Sequence, residues 1–473
     1  MILSICIAIF LPTLLGFFII AVILGNDEET PLGERIGLSF PLGAGILTLQ
    51  IFLLGLLRIP LTLFSTTVPL CVELFLFAIW IWRKKILLTP PPRPASGLYA
   101  EFSSPKNHWM KKCAFAILAL WIGAKLGSIF LLTGLRPIYA WDAWDNWSAG
   151  AKVFFSSHSL LLDAPAPDFF GKNAVDRIIV YPLHNNLLQV WMSLWIGKFD
   201  DVFVKFSSPT YLLSMAICFY YITAREINRL CALAVLAIVL SSPMLSYHSI
   251  ELYGDLMLGI YLFFASASFL KAMRGNISYW ILTGLYSAEA LFTKQEAFFF
   301  VLPLLLSAIL YLGSDTKKNP RLFSHISLLL IPFLLVIPWY AFTLYYGLGW
   351  GKQLDWLLSI GTQAFGVDHL FAFHPDILIY YFYSLLSLNN FNVIFFFFPI
   401  LLVAQRKLPK EFLHLLFPVI CYMLFFLTLY LITEYSIVFS LCFDRNALTF
   451  YPSICLLTVV LLKKFVTIPP PSA

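Results

Sequence analysis

The chain is 473 residues long, 60% hydrophobic, 17% aromatic and only 12% charged, with a net charge of +6. A soluble chain carries about 25% charged residues, and a mean hydropathy of +0.84 leaves more apolar surface than a water-exposed fold can hide. Soluble enzymes, nucleic-acid binders and disordered scaffolds are excluded, and a polytopic membrane protein is expected.

Apolar runs of about 20 residues cross a bilayer. In chain order they occupy 2–24, 36–57, 61–82 and 113–135. After a polar stretch over 136–186 they resume at 202–222, 230–245, 256–270, 277–292, 297–312, 322–342, 377–404, 412–432 and 447–462. The expected fold is therefore an all-α membrane bundle of about thirteen transmembrane helices. The run 187–197 is too short to cross and predicts a re-entrant or interfacial helix. The first run has no basic n-region and no small-residue cleavage site, so it reads as a retained helix rather than a signal peptide. The eight Cys fall almost entirely in apolar runs, with no CxxC and no Cys/His cluster. They read as buried small hydrophobes, not as a disulfide framework or a zinc site.

Charge is partitioned between the connections. Arg83, Lys84, Lys85, Arg93, Lys106, Lys111 and Lys112 share one side with Arg225, Arg229, Lys271, Arg274, Lys317, Lys318, Arg321, Arg406, Lys407, Lys410, Lys463 and Lys464. The positive-inside rule makes that side cytoplasmic. The opposite side collects Asp142, Asp145, Asp163, Asp168, Asp176, Asp200, Asp201, Glu251, Asp255, Asp355, Asp368, Asp376, Glu434 and Asp444. The acidic connection 26–35 runs against the rule, since alternation places it inside; acids weigh little in that rule. The stretch 89–95, TPPPRPA, cannot be helical throughout. It divides the chain into a three-helix unit over 1–88, a basic linker over 89–112 and a larger membrane unit over 113–473, whose extracytoplasmic loop spans 136–186. No internal repeat stands out, which weighs against inverted-repeat transporters.

Four segments hold residues that can carry chemistry. The first opens the long loop: Trp141-Asp142-Ala143-Trp144-Asp145-Asn146-Trp147, with Lys152 two turns on. Three Trp at helical spacing predict a helix anchored at the membrane interface, on which Asp142 and Asp145 share a face. They read either as carboxylates handling a proton or cation at the membrane surface or as solvated acids on that anchor. The second segment places Glu251 and Asp255 one turn apart. Like charges there cost stability unless a cation or substrate uses them, although Asp255 also suits a helix N-terminus. The third is Thr293-Lys294-Gln295-Glu296 between two apolar runs, where ions are expensive and a functional role is the default reading. The fourth is Asp444-Arg445-Asn446, whose Arg either snorkels or grips a phosphate bidentately. His184, His248 and His374 fall on the same side without metal-ligand spacing. Asn146-Trp147-Ser148 fits the glycosylation acceptor pattern, which is common by chance. Glu73 and Glu289 lie within apolar spans, facing a cavity or paired internally.

Taken in order, these elements resemble the GT-C superfamily of membrane glycosyltransferases, in particular its protein-mannosyltransferase and lipid A aminoarabinose-transferase branch. Asp142 within Trp141-Asp142-Ala143-Trp144-Asp145 stands where the family has its first-loop acid. Tyr181-Pro182-Leu183-His184 with 187–197 is similar to its Pro-containing interfacial helix, and Tyr253-Gly254-Asp255 to its second outer acid. Leu291-Phe292-Thr293-Lys294-Gln295-Glu296, Ile337-Pro338-Trp339-Tyr340 and Arg445 with Pro452 resemble its Leu-Thr-Lys, Pro-Trp and late Arg…Pro elements. The likeness covers about 115–462 and leaves the first three spans outside.

The resemblance implies an inverting transfer from a polyprenyl-phosphate-linked sugar to a glycan, lipid or protein acceptor at the outer face. Asp142 is then the base, with Asp145 as the second choice. Lys294, Arg445, Lys152 and His184 would receive the lipid phosphate. Glu251, Asp255 and Glu296 would orient the acceptor or hold a divalent cation such as Mg or Mn, metal dependence being left open. The expected location is a bacterial inner membrane, with membrane lipids and no nucleic acid as partners. Three other readings compete: a transporter or flippase, which places its acids at mid-membrane, a structural or assembly subunit without catalysis, and a polysaccharide polymerase or ligase using a lipid-diphosphate-linked glycan.

Overall fold

The computed structural model describes residues 1–88, 108–160, 162, 181–314, 322–346, 373–432 and 439–466. The proline-rich stretch 89–95 lies outside them, as do Arg93, Lys106, Asp163, Asp168, Asp176, Lys317, Lys318, Arg321, Asp355, Asp368 and Glu434. Every regular element among the described residues is helical, and the protein is a polytopic helical membrane protein. In chain order the first helices are α1 (Ile2–Leu24), α2 (Leu32–Leu56), α3 (Leu63–Arg83), α4 (His108–Leu135), α5 (Ala149–Ser157), α6 (His184–Ile196), α7 (Ser207–Glu226), α8 (Arg229–Leu240) and α9 (Pro243–Ile250). They continue as α10 (Gly254–Met273), α11 (Ser278–Thr293), α12 (Phe298–Ser314), α13 (Leu322–Leu330), α14 (Ile337–Tyr346), α15 (Asp376–Leu386), α16 (Leu388–Phe391), α17 (Ile394–Ala404), α18 (Lys410–Ile432) and α19 (Phe439–Val466).

Nine helices among the described residues are long and apolar enough to cross a membrane, or ten if one bent pair is a single span. The remaining expected spans take other forms. The run 230–245 breaks by 70° between α8 and α9, where Ser242 caps α9 and Pro243 begins it. The run 377–404 is interrupted between α15 and α17, with Asn392 at φ 58°. These two breaks face each other. The Ser242 hydroxyl donates to the Asn390 carbonyl at 2.9 Å and Asn392 Nδ2 to the Ile238 carbonyl at 2.6 Å. Backbone groups freed by the breaks thereby stay satisfied inside the bundle, as a membrane demands. The short run 187–197 is realised as α6, a 13-residue helix.

Almost the whole of α10 is enclosed, 94% of its apolar window being buried, against α11, α19 and α7. Close packing needs small residues where helices cross, because lipid offers no competing water. A Cβ on Gly43 of α2 would stand 1.7 Å from the Pro12 carbonyl oxygen of α1, and one on Gly16 would stand 1.9 Å from the Ser39 carbonyl oxygen. Of the eight cysteines, Cys218 and Cys455 are buried within the protein. Cys6, Cys71 and Cys113 are exposed, each on a long apolar helix, so protein packing does not bury them.

One end of the bundle is tied by ion pairs. Glu34 pairs with Arg225 and Lys271, and Glu226 pairs with Arg274 and, at 3.2 Å, with Lys463. Arg35 donates to the carbonyls of Thr30 at 3.2 Å and Asp27 at 2.8 Å. The acidic connection 26–35 therefore lies at the basic end, as alternation requires, and supplies its counter-charges. Replacing Gly43 by Leu is expected to cost at least about 3 kcal/mol by overpacking. Gly123→Leu, at a site with open space around the Cβ, is expected to cost nothing measurable. Thermal unfolding of the two variants in detergent checks the difference.

Candidate functional site

At the other end, residues far apart in sequence converge. Arg445, in α19, forms an ion pair with Asp142, 303 positions away. Asp255, in the first turn of α10, accepts from Lys294 Nζ at 2.9 Å, and Lys294 also pairs with Glu296. Asp255 and Lys271 mark the two ends of α10 and stand about 24 Å apart at 1.5 Å per residue. The site and the basic clamp thus occupy opposite ends of the same helices.

Aromatic rings hold the two cations. The Arg445 guanidinium lies 5.2 Å from the Tyr253 ring centroid and Lys294 Nζ 5.5 Å from that of Tyr181. Such contacts gain when desolvated. Tyr181 stacks on Trp147 with centroids 4.8 Å apart. The Trp147 carbonyl accepts from Asn186 Nδ2 at 2.6 Å and from Gln189 Nε2 at 3.3 Å, which docks the loop on α6. Gly254 is required here, since a Cβ would meet the Trp147 ring at 2.8 Å. Burial holds the phenols of Tyr181 and Tyr253 well above their ordinary range, so both are neutral partners at physiological pH.

The cluster is graded from open to closed. The side chains of Asp142 and Arg445 are 26% and 21% exposed, whereas Asp255, Lys294 and Glu296 are nearly sealed. Arg445 Nε and His248 Nδ1 are buried and have no hydrogen-bond partner among the described residues. Unmade hydrogen bonds on such groups are costly, so the cluster holds spare hydrogen-bonding capacity beside Asp142.

Several expected site residues stand elsewhere. Asp142 and Asp145 do not act as a pair. Residues Ala143–Ser148 form a π-helical turn, whose wider winding undoes the α-helical three-residue spacing, and Asp142 pairs with Arg445. The three Trp separate likewise: Trp141 and Trp144 are exposed, whereas Trp147 is buried. Lys152 is exposed, with Nζ 5.8 Å from the Phe199 ring centroid. His184 is a fully buried scaffold residue, with Nδ1 2.6 Å from the Thr48 hydroxyl and Nε2 2.8 Å from that of Tyr211. Glu251 is paired with Lys205 at 3.6 Å, both fully buried, rather than with Asp255. Burial pushes the Glu251 carboxyl up. Lys205 Nζ also donates to the Pro137 carbonyl at 3.2 Å, so the pair fastens the strap that leads to Asp142. Lys205 escapes sequence reasoning, although a lone cation inside the apolar run 202–222 was its signal. Tyr253 and Tyr181 stood in the sequence only as members of Tyr253-Gly254-Asp255 and Tyr181-Pro182-Leu183-His184, far from the Arg445 and Lys294 cations they hold.

A divalent cation does not fit these residues. Among the described residues no three His, Cys, Asp or Glu side chains form a ligand group, and the Lys294 ammonium already bridges Asp255 and Glu296. No family model matches the chain, and neither a characterised protein nor a solved structure does.

Replacing Lys294 by Met strands two buried carboxylates beside each other, an uncompensated burial worth about 3–5 kcal/mol. The variant is expected to lose that much in detergent unfolding. Acidification should relieve part of the loss, because protonation neutralises the stranded acids. The triple variant Lys294→Met, Asp255→Asn, Glu296→Gln should recover most of it at neutral pH.

Proposed function

We propose that the chain is a GT-C type glycosyltransferase that moves a sugar from a polyprenyl-phosphate-linked donor to an acceptor at the membrane surface. One observation carries this reading: Asp142 and Arg445 meet beside Asp255 and Lys294 in a partly open cluster at one end of an apolar bundle. Carboxylate, guanidinium and ammonium together are what a displacement at a phosphate-linked anomeric carbon requires. The reading carries with it a bundle of about thirteen spans, in which the short and bent helices cross beside the nine long ones, and a site on the extracytoplasmic side.

In this mechanism Asp142 takes the proton of an acceptor hydroxyl or amine. The acceptor atom bonds to the anomeric carbon as the bond from that carbon to the phosphate oxygen breaks, with inversion. The bonding electrons leave on the lipid phosphate, whose charge Arg445 and Lys294 meet. Arg445 Nε offers a donor not used among the described residues. A phosphate that draws the guanidinium toward itself also weakens the Arg445–Asp142 pair, so Asp142 becomes the better base once donor is bound. Asp255 and Glu296 hold Lys294 in place. Lys152, His184 and Glu251, standing apart from the cluster, have no step here.

The transporter reading draws support from the break between α8 and α9, a feature of discontinuous transport helices. The charges, however, gather at Asp142, Arg445, Asp255 and Lys294 rather than at that break, which favours chemistry at the interface.

Mass spectrometry of co-purifying lipids tests the proposal. Polyprenyl phosphate or its glycoside is expected with the wild type and with Asp142→Asn. Lys294→Ala, Arg445→Ala should deplete it at least about tenfold, since two charge-assisted hydrogen bonds contribute more than roughly 1.4 kcal/mol. Equal amounts in all three proteins would contradict the phosphate assignment. A polyprenyl diphosphate glycan would shift the function to a polymerase or ligase.

A further inference from the structure

α3 and α4 are the least covered of the long apolar helices. Only 17% of the apolar window of α3 and 11% of that of α4 is buried within the chain. Each carries one ionisable side chain near its middle, Glu73 on α3 and Lys125 on α4. Neither is paired among the described residues. Glu73 Oε2 is buried without a partner, and burial alone, with no neighbouring charge, acts on Lys125. An unpaired ion within a membrane span is expensive, and such residues characteristically pair with a group across a helix contact.

The two residues match in depth. Glu73 lies about 15 Å before Arg83 at the basic end of α3, and Lys125 about 20 Å beyond Lys112 at the basic end of α4, at 1.5 Å per residue. The difference of about 5 Å is within the reach of a lysine side chain. They also match in setting. Positions spaced three, four, seven and eleven apart lie along one flank of a helix. Glu73 shares its flank with the exposed Leu76 and Trp80, and Lys125 shares its own with the exposed Trp121, Ser128 and Leu132. Both charges therefore sit at the border between the packed side of their helix and the side left to lipid.

Within one chain the two do not meet, because α3 packs chiefly on α1 and α4 on α8. α3 runs toward the basic end and α4 away from it. Two copies inserted in the same direction would thus bring α3 of one antiparallel to α4 of the other.

We infer that this chain self-associates in the membrane through α3 and α4, with Lys125 of one copy paired to Glu73 of a second copy. Where both contacts close in one pair the assembly is a two-fold dimer with two such ion pairs. This inference is independent of the glycosyltransferase reading.

Single-molecule photobleaching of labelled full-length protein in liposomes measures the dimer fraction at fixed protein-to-lipid ratio. Wild type is expected to bleach in two steps. Lys125→Glu and Glu73→Lys should each loosen association at least about tenfold, since either change removes both ion pairs of the two-fold dimer. The double reversal Lys125→Glu, Glu73→Lys should restore the wild-type fraction. Lys125→Leu and Glu73→Gln serve where a reversal prevents insertion, and each should raise the monomer fraction with the thermal midpoint retained. A monomeric wild type would overturn the inference. So would neutral variants that dimerise as wild type, or a folded double reversal that stays monomeric. Retention of a different membrane protein by Lys125 in a monomeric wild type would overturn the assignment to a second copy.

Discussion

A charge taken out of water must find a counter-charge, and this constraint shapes both ends of the bundle. The enclosed helix α10 carries Asp255 at one end and Lys271 at the other. Each is satisfied only by residues from other helices, Lys294 for the first and Glu34 for the second. Breaking a buried pair costs far more than a surface pair is worth. The register of α10 and α19 is therefore set at two levels, and that of α2 and α7 at the basic end.

The two ends differ in how completely they are satisfied. At the basic end Glu34 and Glu226 are each gripped by two cations, and Arg35 is absorbed by backbone carbonyls. That is a clamp. At the other end Asp142 and Arg445 are partly open, and Arg445 Nε and His248 Nδ1 have no hydrogen-bond partner among the described residues. A polar network left incomplete is costly as scaffold and useful as a site. The contrast between a closed cluster and an open one separates structural ions from those available for chemistry.

Much of this was legible in the amino-acid order. Long apolar runs mark α1 to α4 and α18 because twenty consecutive apolar residues have few alternatives to crossing a bilayer. Asp142, Asp255, Lys294, Glu296 and Arg445 stood out because ions beside apolar runs need a reason, and they come together. What stayed hidden depends on geometry that one-dimensional spacing does not carry. The π-helical turn at Ala143–Ser148 separates Asp145 from Asp142. The pairing of Glu251 with Lys205 joins elements that spacing cannot relate. His184 looked like a site residue by its neighbours in sequence, and its hydrogen bonds to Thr48 and Tyr211 make it scaffold instead. The breaks at Ser242 and Asn392 were masked by hydropathy, which averages over a bend.

The central claim is that Arg445 and Lys294 together receive a lipid phosphate next to Asp142. Cryo-electron microscopy of the full chain in nanodiscs containing undecaprenyl phosphate tests it most directly. Phosphate density is expected within about 3 Å of Arg445 Nε and of Lys294 Nζ, with the guanidinium drawn away from Asp142. Phosphate density at the basic end around Arg225 and Lys463, with the Asp142–Arg445 pair intact, would contradict it.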